Sequence, residues 1–291
     1  MVSIQLGVSL AELSLLQPRR IDGPSFYQLC QDGRARRICF GSIHKGALHP
    51  GKGGHTYAFN IPFEETIGPL LKDALGLRLF SNKFYPGSVW RGFADAEEAA
   101  ALREWLSTRG EYIYIRDLMD LSCALGSNND GEDRTELGEL EYRAKYRRDE
   151  AAIAELSVRL VSFVNAHSLF ELADTICPVP PRPGKEFDLP SSLAARMAES
   201  LGVSLVKRAA WQNGKPELKQ IPFEQKWDAL ESANLAFNAD EVRGKRVILL
   251  DDLYQSGVTM NFVAGRLRAA GARRVFGLSV VKSMRNTDNA Q

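Results

Sequence analysis

The chain has 291 residues, 44% of them apolar, with 37 basic against 36 acidic side chains and a formal net charge of +1. That length allows one large or two ordinary domains with a proper core, and the near-cancelled charge removes any bulk electrostatic argument for nucleic acid or an acidic membrane. No apolar run reaches membrane-spanning length, the start shows no basic-then-apolar leader, and Cys30, Cys39, Cys123 and Cys177 are isolated, so the expectation is a cytoplasmic protein with reduced thiols and no membrane partner.

Residues 1–134 read as a mixed α+β module made of several short strands. Val2 to Leu16 is weakly helical toward its end. Ile38 to Ile43 and His55 to Asn60 are predicted strands around a Gly-, Lys-, His- and Pro-rich loop. Pro62 opens a helix to about Leu75, since its missing N–H costs little in a first turn. Leu77 to Phe84 is a further strand. Asp95 caps a helix to about Thr108 that Gly110 stops, and Tyr112 to Ile115 is a short strand. His44, His49 and His55 lie near Cys30 and Cys39, but their spacings match no zinc pattern and read as loop and strand-edge residues. Gly51-Lys52-Gly53-Gly54 lacks the Walker arrangement and reads as a hairpin loop. Arg34, Arg36, Arg37, Lys45 and Lys52 make this end locally basic. A solvated face is the default reading; a nucleic-acid contact through residues 1–134 is the alternative. Phe26, Tyr27, Tyr57, Phe59, Phe84, Tyr85 and Trp90 could stack bases, although at their spacings most read as core.

Gly126 to Asp133 is polar and Gly- and Asn-rich, and reads as a linker, which places a domain boundary near 134. A long helical stretch follows from Arg134, with a clean apolar stripe at Ile153, Leu156, Leu160, Phe163 and Val164. His167 falls at its end, where a cation would complement the helix dipole. Residues 135–291 then alternate. Asp174 to Pro181 is a short strand running into prolines, Leu189 to Leu201 a helix stopped by Gly202, and Val203 to Lys207 a strand. Arg246 to Leu250 is a buried strand, Val258 to Ala270 a helix stopped by Gly271, and Val275 to Val281 a strand. Such alternation argues for a parallel sheet with right-handed crossovers, whose ligands bind at the carboxyl ends of the strands. The segment from Ala209 to Asp240 is long for a loop, so function or local helix is expected there.

One stretch carries chemistry. Asp251-Asp252 ends the buried strand, and Gln255-Ser256-Gly257-Val258-Thr259 is a tight small-residue turn into a helix. Backbone N–H groups and the positive end of a helix converge there, which suits a phosphate, and Gly257 permits close approach. Adjacent carboxylates beside a phosphate make sense if they accept hydrogen bonds from hydroxyls or hold Mg2+. A ribose 5-phosphate offers both groups.

The run from Val247 to Thr259 resembles the signature of type I phosphoribosyltransferases, which bind phosphoribosyl pyrophosphate (PRPP). The resemblance implies that Asp251 and Asp252 contact the ribose hydroxyls. It implies that Leu253, Tyr254, Gln255, Ser256, Gly257, Val258 and Thr259 wrap the 5-phosphate. It also implies that Arg182 and Lys185, in the loop after the first core strand, face the pyrophosphate. Among subfamilies the chain is most similar to ComF-type proteins, through Pro178-Val179-Pro180, Lys219-Gln220, Asn234-Leu235-Ala236-Phe237 and Asp251-Asp252, over about 174–283. Gln255 stands where many members have Thr or Ala. Glu231 stands where the family has Arg, and the paired-cysteine module is missing. The implied architecture is an α/β phosphoribosyltransferase-like parallel sheet domain preceded by a separate mixed α+β domain. The implied function is Mg2+-dependent transfer of phosphoribose to a base or other acceptor. The alternative is a non-catalytic PRPP- or nucleotide-binding module in DNA uptake, repair, defence or regulation.

Overall fold

A computed structural model describes Leu16, residues 19–41 and residues 48–283. The weak N-terminal helix, apart from Leu16, and His44 and Lys45 lie outside the described residues. In chain order the strands are β1 (Arg37–Cys39), β2 (Leu48–Pro50), β3 (Tyr57–Ile61), β4 (Phe80–Ser81), β5 (Val89–Phe93), β6 (Ile113–Ile115), β7 (Leu121–Ser127), β8 (Asn129–Asp130), β9 (Asp133–Arg134), β10 (Thr175–Pro178), β11 (Ser204–Leu205), β12 (Ala209–Trp211), β13 (Leu235–Phe237), β14 (Arg246–Tyr254) and β15 (Arg274–Lys282). The α-helices are α1 (Gly23–Gln31), α2 (Ile67–Leu75), α3 (Ala100–Arg109), α4 (Glu136–Tyr146), α5 (Glu150–Asn165), α6 (Ser168–Glu171), α7 (Leu189–Leu201), α8 (Lys226–Ser232), α9 (Ala239–Val242) and α10 (Val258–Ala269).

A seven-stranded sheet organises the chain, in the order β1-β6-β7-β15-β14-β10-β11. Strands β7, β15, β14, β10 and β11 are mutually parallel, and β6 and β1 continue the sheet antiparallel. The parallel core is as the alternating sequence predicts. The sheet nevertheless runs across position 134, because β7 pairs with β15 from Leu121↔Phe276 to Ser127↔Lys282. The first half is therefore not set apart from this sheet: it supplies three of the seven strands. Strand β7 escapes the sequence reading because its apolar residues are interrupted by Ser and Gly and it ends in the Gly- and Asn-rich stretch read as a linker. Part of that stretch is the β8–β9 hairpin. A buried ion pair fixes the β7–β15 register, with Arg274 donating to Asp120 at 2.7 Å and the Val275 amide to the same carboxylate at 2.8 Å.

Side-chain alternation along β14 sorts the core into two layers. Ile248 and Leu250 pack with Leu156, Leu160 and Phe163 of α5 and Leu193 of α7. Val247 and Leu249 pack with Phe262 and Leu267 of α10, Trp227 of α8 and Phe26 of α1. Truncating one such fully buried ring or branched chain to Ala removes about 2–5 kcal/mol. A second, four-stranded antiparallel sheet, β2-β3-β5-β4, lies wholly within the first half.

The long helix expected after Arg134 is broken in two. Asp149 caps α5 by accepting from the Ala151 and Ala152 amides, and Arg148 just before it takes a positive φ of 52°. His167 lies just past the end of α5, but not as a cation. Its ring is packed against Phe163, Tyr112 and Phe170, and burial lowers its pKa to about 4. The neutral ring donates from Nδ1 to the Phe163 carbonyl at 2.8 Å. The expected strand at 77–84 shrinks to Phe80–Ser81, because Asn82 turns the chain by accepting from the Phe84 amide.

Candidate functional site

Strand β14 runs four residues further than its apolar stretch predicts. Pairing with β15 continues through Tyr254↔Lys282, so Asp251, Asp252, Leu253 and Tyr254 are strand residues. The turn proper is Gln255-Ser256-Gly257, and α10 starts at Val258, where the sequence pattern places it.

Gly257 is required by geometry. It takes φ of +88°, and a Cβ there would collide with the Tyr254 ring and hydroxyl. That hydroxyl is itself fixed, donating to buried Asp117 Oδ2 at 3.0 Å. Asn261, one turn into α10, completes the scaffold. Its Nδ2 donates to the Gly257 carbonyl at 2.9 Å, and its Oδ1 accepts from the Leu118 amide at 3.0 Å. Burial raises the pKa of Asp117, with hydrogen bonds from Ser122, Met119 and Tyr254 opposing that rise.

The orientation of the turn is set from behind by two cations. Lys282 Nζ donates to the Gln255 carbonyl at 3.1 Å, and Arg36 Nη2 donates to the Ser256 carbonyl at 3.0 Å. In a trans peptide the N–H points opposite to the C=O, so the amides of Ser256 and Gly257 turn away from Lys282 and Arg36. Helix α10 has no side-chain N-cap and no acidic residue in its first turn. Its opening amides and dipole are thus arranged for an anion. A cavity of about 160 Å³ lies against this turn, lined among others by Asp251, Gly257, Thr259, Lys219 and Lys226.

The two carboxylates have different surroundings. Successive strand residues point to opposite faces. Asp252 is buried toward α4, where Lys145 Nζ lies 3.0 Å from its Oδ2 and 3.3 Å from Glu141 Oε1. Burial alone would lower the Lys145 pKa, but the Asp252 and Glu141 carboxylates outweigh it and hold the ammonium well above its ordinary value. Asp251 lines the cavity. Burial and the Asp252 charge push its pKa up to about 7, against the pull of Lys215 and Lys145. Lys215 comes from the segment after β12. Its ammonium donates to the Pro180 carbonyl at 3.0 Å, and burial lowers its pKa while Asp251 and Asp188 resist that fall.

The structure therefore brings together Asp251, Leu253, Tyr254, Gln255, Ser256, Gly257, Val258 and Thr259 around one cavity, with Asp252 one face away. Arg182 and Lys185 lie after β10, the strand beside β14, and are not among the residues that line the cavity. Arg182 faces Glu217 at 3.8 Å, and Lys185 is 2.9 Å from Asp188, the N-cap of α7. Sequence reasoning missed Lys145, Lys215, Lys226, Arg36, Lys282, Asn261 and Asp117. Only Asn261 carried a signal, as a polar residue on the apolar face of its helix. Among the described residues no cluster of His, Cys, Asp and Glu forms a metal site, and no helix is long and apolar enough to cross a membrane.

No family model matches the chain, and no curated protein does. Solved structures of phosphoribosyltransferases are similar to it at a distance. Adenine phosphoribosyltransferase from Leishmania donovani aligns over 48% of this chain and 68% of its own, at 13% identity and a TM-score of 0.33. The Trypanosoma brucei adenine enzyme, solved with AMP, pyrophosphate and ribose-5-phosphate, aligns over 53% of this chain and 82% of its own, at 13% identity and 0.36. Glutamine PRPP amidotransferase from B. subtilis aligns over 66% of this chain but only 40% of its own, at 20% identity and 0.35.

Proposed function

We propose that the chain binds PRPP or a related ribose 5-phosphate ligand at the carboxyl end of β14 and transfers its phosphoribosyl group, with Mg2+, to a base or other acceptor. One observation carries the proposal: Lys282 and Arg36 hold the turn's carbonyls from behind, which orients its peptide dipoles, together with the start of α10, for a phosphate. In this reading the 5-phosphate sits in the turn, and Lys219 and Lys226, which also line the cavity, add positive charge. Asp251 accepts a hydrogen bond from a ribose hydroxyl. Asp252 does so only if that hydroxyl shares it with the Lys145 ammonium.

The transfer breaks the bond from ribose C1 to the diphosphate oxygen and forms one from C1 to the acceptor nitrogen. The acceptor proton leaves with a base, and the diphosphate departs as the anion. Carboxylates beside the cavity favour the positive charge that develops on the ribose. The oxygen donors present suit Mg2+, but Lys145 occupies one oxygen of Asp252. Asp251 would thus be the carboxylate to hold the metal, alongside oxygens of the substrate. Bound there, Mg2+ supplies charge neutralisation for the leaving group.

A second reading is a binding module without turnover, in DNA uptake, repair, defence or regulation. It is favoured by the pairing of Arg182 with Glu217 and Lys185 with Asp188, which engages the two cations otherwise available to a diphosphate. Thermal unfolding with PRPP and Mg2+, against Mg2+ alone, separates the cases when paired with an assay of PRPP consumption over a panel of bases and amines. Ligand at a hundred times its Kd stabilises the folded state by about 2.7 kcal/mol. Stabilisation with consumption supports transfer. Stabilisation without consumption supports the binding module. No stabilisation removes both.

A further inference from the structure

The four-stranded sheet has one buried face and one open face. Phe59, Ile61, Val89 and Phe93 are buried on the first. Across the second, Asn60, Trp90 and Phe80 form a single row, since Asn60 pairs with Trp90 and Trp90 with Phe80. The Phe80 and Trp90 rings lie 6.1 Å apart, and the His55 ring stands edge-on to Trp90 at 5.9 Å. Gly92 allows this, because a Cβ there would meet the His55 ring at 2.5 Å.

The β4–β5 turn then places more aromatic surface beyond the sheet edge. Asn82 Oδ1 accepts from the Phe84 and Tyr85 amides at 2.9 and 3.3 Å, and Ser88 Oγ donates to the Tyr85 carbonyl at 2.7 Å. Arg34 Nη2 donates to the Gly87 carbonyl at 2.8 Å and ties the turn to the body of the protein. A turn held by so many hydrogen bonds nevertheless keeps Phe84 87% and Tyr85 69% exposed. An ordered aromatic surface left in water marks an interaction site.

A cleft of about 710 Å³ opens between Asn60, Phe80, Asn82, Lys83, Phe84 and Trp90, with no carboxylate in its walls. The guanidinium groups of Arg78 and Arg91 lie 5.9 and 5.6 Å from the Phe80 ring centre. Arg91 also pairs with Glu98, which leaves Arg78 and Lys83 as the exposed cations beside the rings.

We propose that this face binds single-stranded nucleic acid, with one base in the cleft between Phe80, Phe84 and Trp90 and the backbone phosphates along Arg78 and Lys83. Flat rings interleaved with cations are what a single strand needs, because every base offers a π face and every linkage a negative charge. A protein strand pairing with the edge is disfavoured, since β4 offers only two residues. The amides at the cleft are already engaged, Asn60 with His49 and Asn82 with its own turn, so base preference is slight. Among the aromatic residues weighed from sequence, Phe26 and Phe59 are excluded, because both are fully buried.

The test uses the full chain, with labelled oligodeoxythymidine and oligouridine strands and a duplex of equal length. Trp105, Trp211 and Trp227 are buried, so strand-dependent quenching of tryptophan fluorescence reports Trp90. The expected result is single-strand binding that quenches Trp90, exceeds duplex binding and weakens with salt. Phe84→Ala weakens it about five- to a hundredfold, and Phe84 is too exposed for that change to disturb the fold. Lys83→Glu weakens it and lowers the salt dependence. Neither variant changes stabilisation by PRPP, which separates this surface from the β14 site. Equal binding of duplex, unchanged binding in both variants, or mononucleotides quenching Trp90 as well as strands do would each overturn the proposal.

Discussion

Lys145 Nζ sits 3.0 Å from Asp252 Oδ2, so one member of the carboxylate pair in β14 is already joined to a cation from α4. The same ammonium serves Glu141, one turn earlier on that helix. Lys145→Met would leave two neighbouring carboxylates without a partner. It is expected to destabilise the fold by about 1–3 kcal/mol in denaturant unfolding at neutral pH. Adding Glu141→Gln should recover part of that loss. Because the folded-state pKa of Lys145 is raised, its contribution is complete below the ordinary lysine value. It is lost as pH climbs through the raised folded value.

Asp251 also loses stability as pH rises, but because burial disfavours its charge rather than because a partner favours it. Its folded pKa is raised to about 7 from 3.8, so the folded state holds a proton that the unfolded chain has released. Stability from this group is greatest below about pH 4 and falls as pH rises toward 7, by at most about 4 kcal/mol. Asp251→Asn should therefore melt higher than wild type at pH 8 and no higher at pH 4, while losing any stabilisation by PRPP. A melting point at pH 8 equal to or below wild type would contradict the burial described for this carboxylate.

Gly257→Ala places a methyl group against the Tyr254 ring at a φ of +88°. The turn must move, or Tyr254 must leave Asp117. A loss of about 2–4 kcal/mol is expected in chemical unfolding, together with loss of phosphate-dependent stabilisation. Gly53→Ala is the control. It also has a positive φ, but nothing lies within reach of its Cβ, so it should cost only about 1 kcal/mol.

His167 is neutral in the folded chain, with a pKa near 4 against an ordinary 6.5. The unfolded chain takes up a proton first as pH falls through that window, so this residue costs the fold about 3 kcal/mol between pH 6.5 and 4. His167→Gln should flatten the acid limb of the stability curve. Since Asp251 shifts stability the other way over an overlapping range, wild type should look less acid-sensitive than Asp251→Asn.

Local signals were legible wherever one element determines its own shape. The α7 helix, the start of α10 and the parallel core strands follow directly from apolar period, caps and glycines. Three things were not legible. Strand β7 is too rich in small residues to stand out, and it is defined by its partner β15, 155 positions away at Leu121↔Phe276 by subtraction of the two residue numbers. The cations that aim the turn, Arg36 and Lys282, have no local signature, because their role comes from the carbonyls they reach across the fold. Lys145 sat in a charged helix whose surface-like composition hid the one ammonium turned inward.

The position of β14 and β15 in the middle of the sheet has a consequence for how the chain is made. They lie between β7 and β10, yet among the described strands they are the last to leave a ribosome. Until they arrive, β7 and β10 each present an unpaired edge, and the two halves of the sheet have no hydrogen bonds joining them. Assembly therefore waits on long-range pairing, which is slow and leaves apolar strand edges open to other chains. Synthesis that stalls before about residue 245 would release a chain with the right pieces and nothing to close them, the form in which aggregation and chaperone capture are expected.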